Sequence, residues 1–98
     1  MGSSTNQGRN QKKQESVLQE AERIINGERR TDYGGAEESF DQIAQLWSIV
    51  LAHEVTSEEV ALCMMMLKVS RYLHGHNRDS VVDLCGYAGL LEVLGCLK

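Results

Sequence analysis

Proline is absent from all 98 residues, so no helix in the chain is broken from within by a missing N–H and a ring clash. Long apolar runs are absent as well. None approaches the roughly 18 residues needed to span a bilayer, and the N-terminus is polar rather than signal-like. These absences point to a cytoplasmic protein, in a bacterium or in a cell infected by a virus. Cysteine is sparse: Cys63, Cys85 and Cys96 stand in apolar surroundings with no C-x-x-C spacing and an odd count. That argues against a disulfide frame or a zinc site and leaves small core residues in a reducing compartment. No stretch has a convincing strand period, and no G-K-[ST] step exists for a P-loop. Positive charge is scarce where it would matter. Residues 1–15 carry three Lys/Arg against one acid, a balance of +2, whereas residues 16–98 carry seven against thirteen, a balance of −6. A region at −6 is a poor electrostatic match for duplex nucleic acid. A small anion held by a few placed cations is compatible with it.

What is present reads as helix. Residues 1–15, "MGSSTNQGRNQKKQE", offer almost no apolar surface to offset ordering entropy and read as a flexible polar tail. Residues 16–98 read as a single helical domain. "SVLQEAERIING" sets Val17, Leu18, Ala21, Ile24 and Ile25 on one stripe, with Gly27 as C-terminal cap. A second helix, from about Ala36 to Ala52, groups Phe40, Ile43, Ala44, Trp47, Val50 and Leu51 on one face. Thr56 and Glu59 have capping-box spacing and open a third helix that ends near Leu73. Its "VALCMMML" stretch is apolar all round and must be covered all round. "HGHN" is a turn, and Asn77 caps a fourth helix from about Arg78 to Leu97. Four such helices predict an all-α, up-down bundle. The apolar breadth of the third and fourth, with Gly86 and Gly89 inviting close helix approach, predicts a homo-oligomer.

The chemistry concentrates in "KVSRYLHGHNRDSVVD", residues 68–83. Lys68 and Arg71 are spaced i, i+3 before the turn, and Asp79 and Asp83 i, i+4 after it. An antiparallel hairpin sets Arg71 level with Asp79 and Lys68 level with Asp83. The plain reading is two interhelical ion pairs; the functional one is the floor of a ligand site. Upstream, "GERRTDYGG" adds Arg29, Arg30 and Tyr33 just before a helix start, whose free N–H groups suit a phosphate. Tyr33, Tyr87 and Trp47 could stack on a base, although Trp47 lies on the apolar stripe. Glu37, Glu38 and Asp41, with Asp79 and Asp83, could instead cage one Mg²⁺; the plain reading is acid enrichment at a helix N-terminus. His74 and His76 read as a solvated turn rather than a zinc site.

"RDSVVDLCGYAGLL" resembles the helix of MazG-like, all-α nucleotide pyrophosphatases that carries E-x-x-D followed by an apolar-Tyr stretch. Asp83 falls on the Asp and Tyr87 on the Tyr, while Ser80 stands where the Glu would be. More closely, "DYGG", "ESFDQIAQLW", "EEVALCMMMLKVSR" and "RDSVVDLCGYAGL" together resemble a small phage-encoded, uncharacterised family near that group, over about residues 17–94. The resemblance implies an α-helical fold, oligomerisation through helices and a nucleotide-type ligand. It also implies a preceding helix with E-x-x-E that helps to hold magnesium, and here Lys68 and Arg71 occupy those two positions. Cations cannot ligate Mg²⁺, but they bind phosphate directly.

The leading expectation is therefore a phage nucleotide-binding protein that sequesters a nucleotide or nucleotide-derived immune signal without hydrolysis, using no cofactor. Arg29, Arg30, Tyr33, Lys68, Arg71, Asp79, Asp83 and Tyr87 would bind the ligand. A Mg²⁺-dependent pyrophosphohydrolase using Glu37, Glu38, Asp41, Asp79 and Asp83 is the alternative. A helical interaction protein is the third reading.

Overall fold

A computed structural model of the chain describes residues 14–27 and 35–98. These residues form four α-helices and no strand: α1 (Val17–Asn26), α2 (Ala36–Leu51), α3 (Ser57–Gly75) and α4 (Arg78–Val93). Most of the polar tail, and all of Arg29, Arg30 and Tyr33, lie outside the described residues.

Local chemistry sets each helix boundary. Ser16 opens α1 with a full capping box: its hydroxyl accepts from the Gln19 N–H at 3.1 Å, and the Gln19 side chain accepts from the Ser16 N–H at 2.9 Å. At the other end a Cβ on Gly27 would lie 2.8 Å from the Arg23 carbonyl oxygen, so only glycine fits there. Thr56 and Glu59 form the capping box that their spacing predicts for α3. Asn77 caps α4, its side-chain oxygen accepting from the Ser80 N–H at 2.8 Å.

Helix ends depart from the sequence reading by a few residues. α3 runs on to Gly75, closing with His76 in the left-handed region at φ 52°. α4 stops at Val93 rather than near Leu97, because Gly95 (φ 78°) completes a Schellman turn: the Gly95 N–H reaches the Glu92 carbonyl and the Cys96 N–H that of Leu91. α2 ends the same way around Ala52 (φ 54°), whose N–H bonds Ile49 while that of His53 bonds Ser48. Ser48 then braces the connection to α3, donating to the Ala44 carbonyl at 2.7 Å and accepting from the Val55 N–H at 2.8 Å.

The core joins α2 and α3 to the C-terminal half of α4. Phe40, Ala44, Val60 and Ala61 are buried, with Trp47, Met64, Tyr87 and Leu90 packed against them. Trp47 is thus a core residue. α3 and α4 make the most extensive helix pair, α1 packs on α4, and α2 packs chiefly on α3; α1 and α2 do not pack on each other. The expected bundle is therefore open along one seam. Gly89 serves the α1–α4 contact, since a Cβ there would lie 2.8 Å from Ile25 Cδ1. This close approach is within the chain. Arg78 fastens the same two helices by pairing with Glu20 and donating to the Glu15 carbonyl at 2.9 Å. Cys85 and Cys96 are half-buried, but Cys63 is exposed and is no core residue.

Candidate ligand-binding groove

The open seam holds a cavity of about 410 Å³. Ile24 and Ile25 of α1 form one wall, and Ser39 and Phe40 of α2 the other. The floor is a stripe of α4 spaced i, i+3/i+4: Val82, Asp83, Gly86, Tyr87 and Leu90. Among the described residues, one carboxylate thus enters a lining that is otherwise mostly apolar, with the Ser39 and Tyr87 side chains as its other polar groups. Gly86 leaves the middle of this floor bare, because a Cβ there would meet nothing within 4 Å. Phe40 and Tyr87 stand with ring centroids 6.2 Å apart and tilted, fixing the wall where an aromatic ligand could rest.

Asp83 is anchored from behind. Lys68 Nζ on α3 lies 3.1 Å from Asp83 Oδ2, with the two side chains 17% and 32% exposed. This pair is the one that the hairpin register predicts. The companion pair does not form: Arg71 and Asp79 are exposed, and neither makes an ion pair among the described residues. Being level is not the same as facing. At about 100° per residue, the step from Lys68 to Arg71 turns about 300°, and the step back from Asp83 to Asp79 about 400°. Arg71 therefore points about 60° to one side of Lys68, and Asp79 about 40° to one side of Asp83. Asp79 sits solvated in the first turn of α4, where the helix dipole favours it.

The two remaining sets sort as follows. Asp83 and Tyr87 line the groove and Lys68 holds Asp83; Arg71 and Asp79 stay outside, and Arg29, Arg30 and Tyr33 are outside the described residues. The five carboxylates of the magnesium alternative are not brought together. No group of three His, Cys, Asp or Glu among the described residues could hold a metal ion. Glu37 and Glu38 are exposed in the first turn of α2, and Asp41 accepts from the Ser57 hydroxyl. His74 and His76 are exposed, the latter edge-on to Tyr72.

Ser39 and Gly86 are among the groove residues that sequence reasoning missed. Ser39 is half-buried in the wall and its hydroxyl makes no hydrogen bond among the described residues; lying among acids on a polar face, it gave no signal. Gly86 was legible only as a helix glycine wanting an explanation. The start of α2 also opens here: Gly35 and Ala36 line the cavity, and Gly35 as N-cap has no side chain with which to cap the helix.

A small all-α protein with an apolar groove and one cation-held carboxylate is the class that this geometry defines. By its sequence the chain belongs to the family described as "Domain of unknown function (DUF6378)", which it matches over residues 16–95. It is similar to the Gene 55 protein of Mycobacterium phage L5, at 48% identity over 79 residues, and to the Gene 55 protein of Mycobacterium phage D29, at 44% over 79 residues. Those alignments cover 79% and 80% of this chain but 51% and 52% of the relatives. The chain thus spans about half the length of the curated relatives it matches. No solved structure matches it. Among the described residues, no helix is long and apolar enough to cross a membrane.

Proposed function

We propose that the protein binds a nucleotide or nucleotide-derived small molecule in the groove between α1, α2 and α4 and sequesters it without hydrolysis. The observation that carries this reading is the groove itself. Its volume of about 410 Å³ falls in the usual range for small-molecule sites, which join apolar walls to a few convergent polar groups. A base rests against Phe40 and Tyr87; Asp83 accepts from its edge or from a ribose hydroxyl, and the Ser39 hydroxyl donates or accepts there. Arg29 and Arg30, which precede α2 in the sequence, are the candidates to supply charge to a phosphate, and Lys68 holds Asp83 in place. In this reading the fold is a divergent MazG-like one, assembled as a homo-oligomer in the cytoplasm of an infected cell. The similar proteins come from two phages, and a phage would gain from titrating a host nucleotide signal.

Lys68 engages the one carboxylate among the described residues that line the groove. That arrangement favours holding a ligand over the metal-assisted water attack that hydrolysis by the pyrophosphatases would need. Calorimetry with a panel of nucleotides and cyclic or linear nucleotide signals, with and without EDTA, tests the proposal. Binding should survive EDTA, and the ligand should be recovered intact. Metal-dependent release of pyrophosphate would replace the reading with the hydrolase, and no binding by any member would leave only the interaction protein.

A further inference from the structure

α3 carries two apolar faces, and the described residues cover one of them. Val60, Ala61 and Met64 turn to the core, with Lys68 reaching α4. About half a turn away, Leu62, Met66, Val69 and Leu73 are spaced i, i+4, i+7, i+11 and form a second stripe. Leu62, Met66 and Leu73 are 44%, 60% and 68% exposed. A single exposed leucine is ordinary; an aligned apolar row over three turns marks an interaction surface.

The charge pattern of the helix says what fits there. The stripe itself carries no charge. Glu58 and Glu59 stand exposed at the N-terminal end of α3, and Arg71, His74 and His76 stand exposed at its C-terminal end. Arg71 has no ion-pair partner among the described residues. Parallel pairing of two such helices would set acid on acid and cation on cation. Antiparallel pairing about a two-fold axis near Leu67–Lys68 sets each acidic end against a basic end and opposes the helix dipoles. It also sets Leu62 level with the partner's Leu73 and Met66 level with the partner's Val69, apolar on apolar throughout.

We propose that this face of α3 is an isologous interface with a second copy of the chain, packed antiparallel along Leu62, Met66, Val69 and Leu73. This assignment does not depend on the groove holding a nucleotide.

Sedimentation of the full chain at micromolar concentration should give a dimer or a multiple of it, and Met66→Asp should lower the assembly state. That residue is exposed in the monomer, so the helical circular dichroism should persist. Spin labels at single sites, with the native cysteines replaced by alanine, read the direction. Antiparallel pairing gives a short label–label distance at position 66. At position 62 it gives a clearly longer one, because 11 residues, roughly 16 Å of helix, then separate the labels along the axis. A monomeric wild type, an assembly indifferent to Met66→Asp, or equally short distances at both positions would overturn the proposal.

Discussion

Replacing Gly86 with alanine should make the protein more stable and its proposed ligand weaker, and the two effects come from the same methyl group. Gly86 lies in the interior of α4, where glycine is about 1 kcal/mol less favourable than alanine. A Cβ built there meets nothing within 4 Å, so the added methyl displaces no neighbour. Stability should therefore rise by about 1 kcal/mol, which for a domain of this size raises the melting temperature by roughly 4–8 °C. Gly89, three residues on, is the internal control. Its Cβ would sit 2.8 Å from Ile25 Cδ1, so alanine there must push the isoleucine aside and should yield less than the full gain. The methyl at residue 86 would meanwhile stand in the middle of the groove floor. Overpacking of about 1–3 kcal/mol corresponds to a rise in Kd of roughly 5- to 150-fold. Thermal melts and calorimetry of the two variants measure both quantities. A destabilised Gly86→Ala would mean that the space above residue 86 is filled. A stabilised variant that binds as tightly as wild type would place the ligand elsewhere.

Three further substitutions test the frame around the groove. Ala52→Gly should stabilise by about 1 kcal/mol, since Ala52 holds the left-handed position of a Schellman turn; chemical denaturation reads it. Ser48→Ala should cost about 1–2 kcal/mol, because it leaves the half-buried Val55 N–H without its 2.8 Å acceptor. Arg23→Ala should make the pH dependence of stability shallower in acid. The hydrogen bond and charge of Arg23 hold the Glu15 carboxyl below its ordinary range. The stability that this gives is present above the unfolded-state pKa and is lost as pH falls through the lowered folded-state value. Melts from neutral to acid pH, wild type against variant, check the sign.

The helices were legible because their signals are local. Capping boxes at Ser16 and Thr56, the Asn77 cap and the glycine at residue 27 each act within four residues. Helix ends decided by backbone conformation, such as the stop at Val93 set by Gly95, were less so, since the apolar pattern continues through Leu94 and Leu97. Register along the hairpin gave the Lys68–Asp83 pair. Rotation about the helix axes, which separates Arg71 from Asp79, needs the interhelical geometry. The groove itself was not legible, for it comes from two helices failing to meet, and no periodicity records a missing contact. Asp83 and Tyr87 could be singled out by spacing and resemblance, whereas Ser39 and Gly86 act through what surrounds them.

The Lys68–Asp83 pair offers a way to ask whether the groove is built to hold an anionic ligand or to hold a metal. Lys68→Met removes a partner from a pair that is neither fully exposed nor fully buried, and should cost about 1–2 kcal/mol. Lys68→Glu should cost more, because it sets two carboxylates where an ammonium and a carboxylate stood 3.1 Å apart. At neutral pH one of them must bind a proton or a cation to relieve the repulsion. If the resemblance to the pyrophosphatases reflects shared geometry, the new carboxylate joins Asp83 as the start of an oxygen site. Magnesium should then raise the melting temperature of Lys68→Glu in a saturable, concentration-dependent way, and should leave wild type unmoved. Titration by thermal shift, with calcium as a second hard cation and sodium at matched ionic strength as the screening control, reads this directly. Stabilisation of Lys68→Glu by sodium as well as by magnesium would show only screened repulsion. Stabilisation of the wild type by millimolar magnesium would show that the groove already gathers oxygen donors despite Lys68, and the binder reading would give way to the hydrolase.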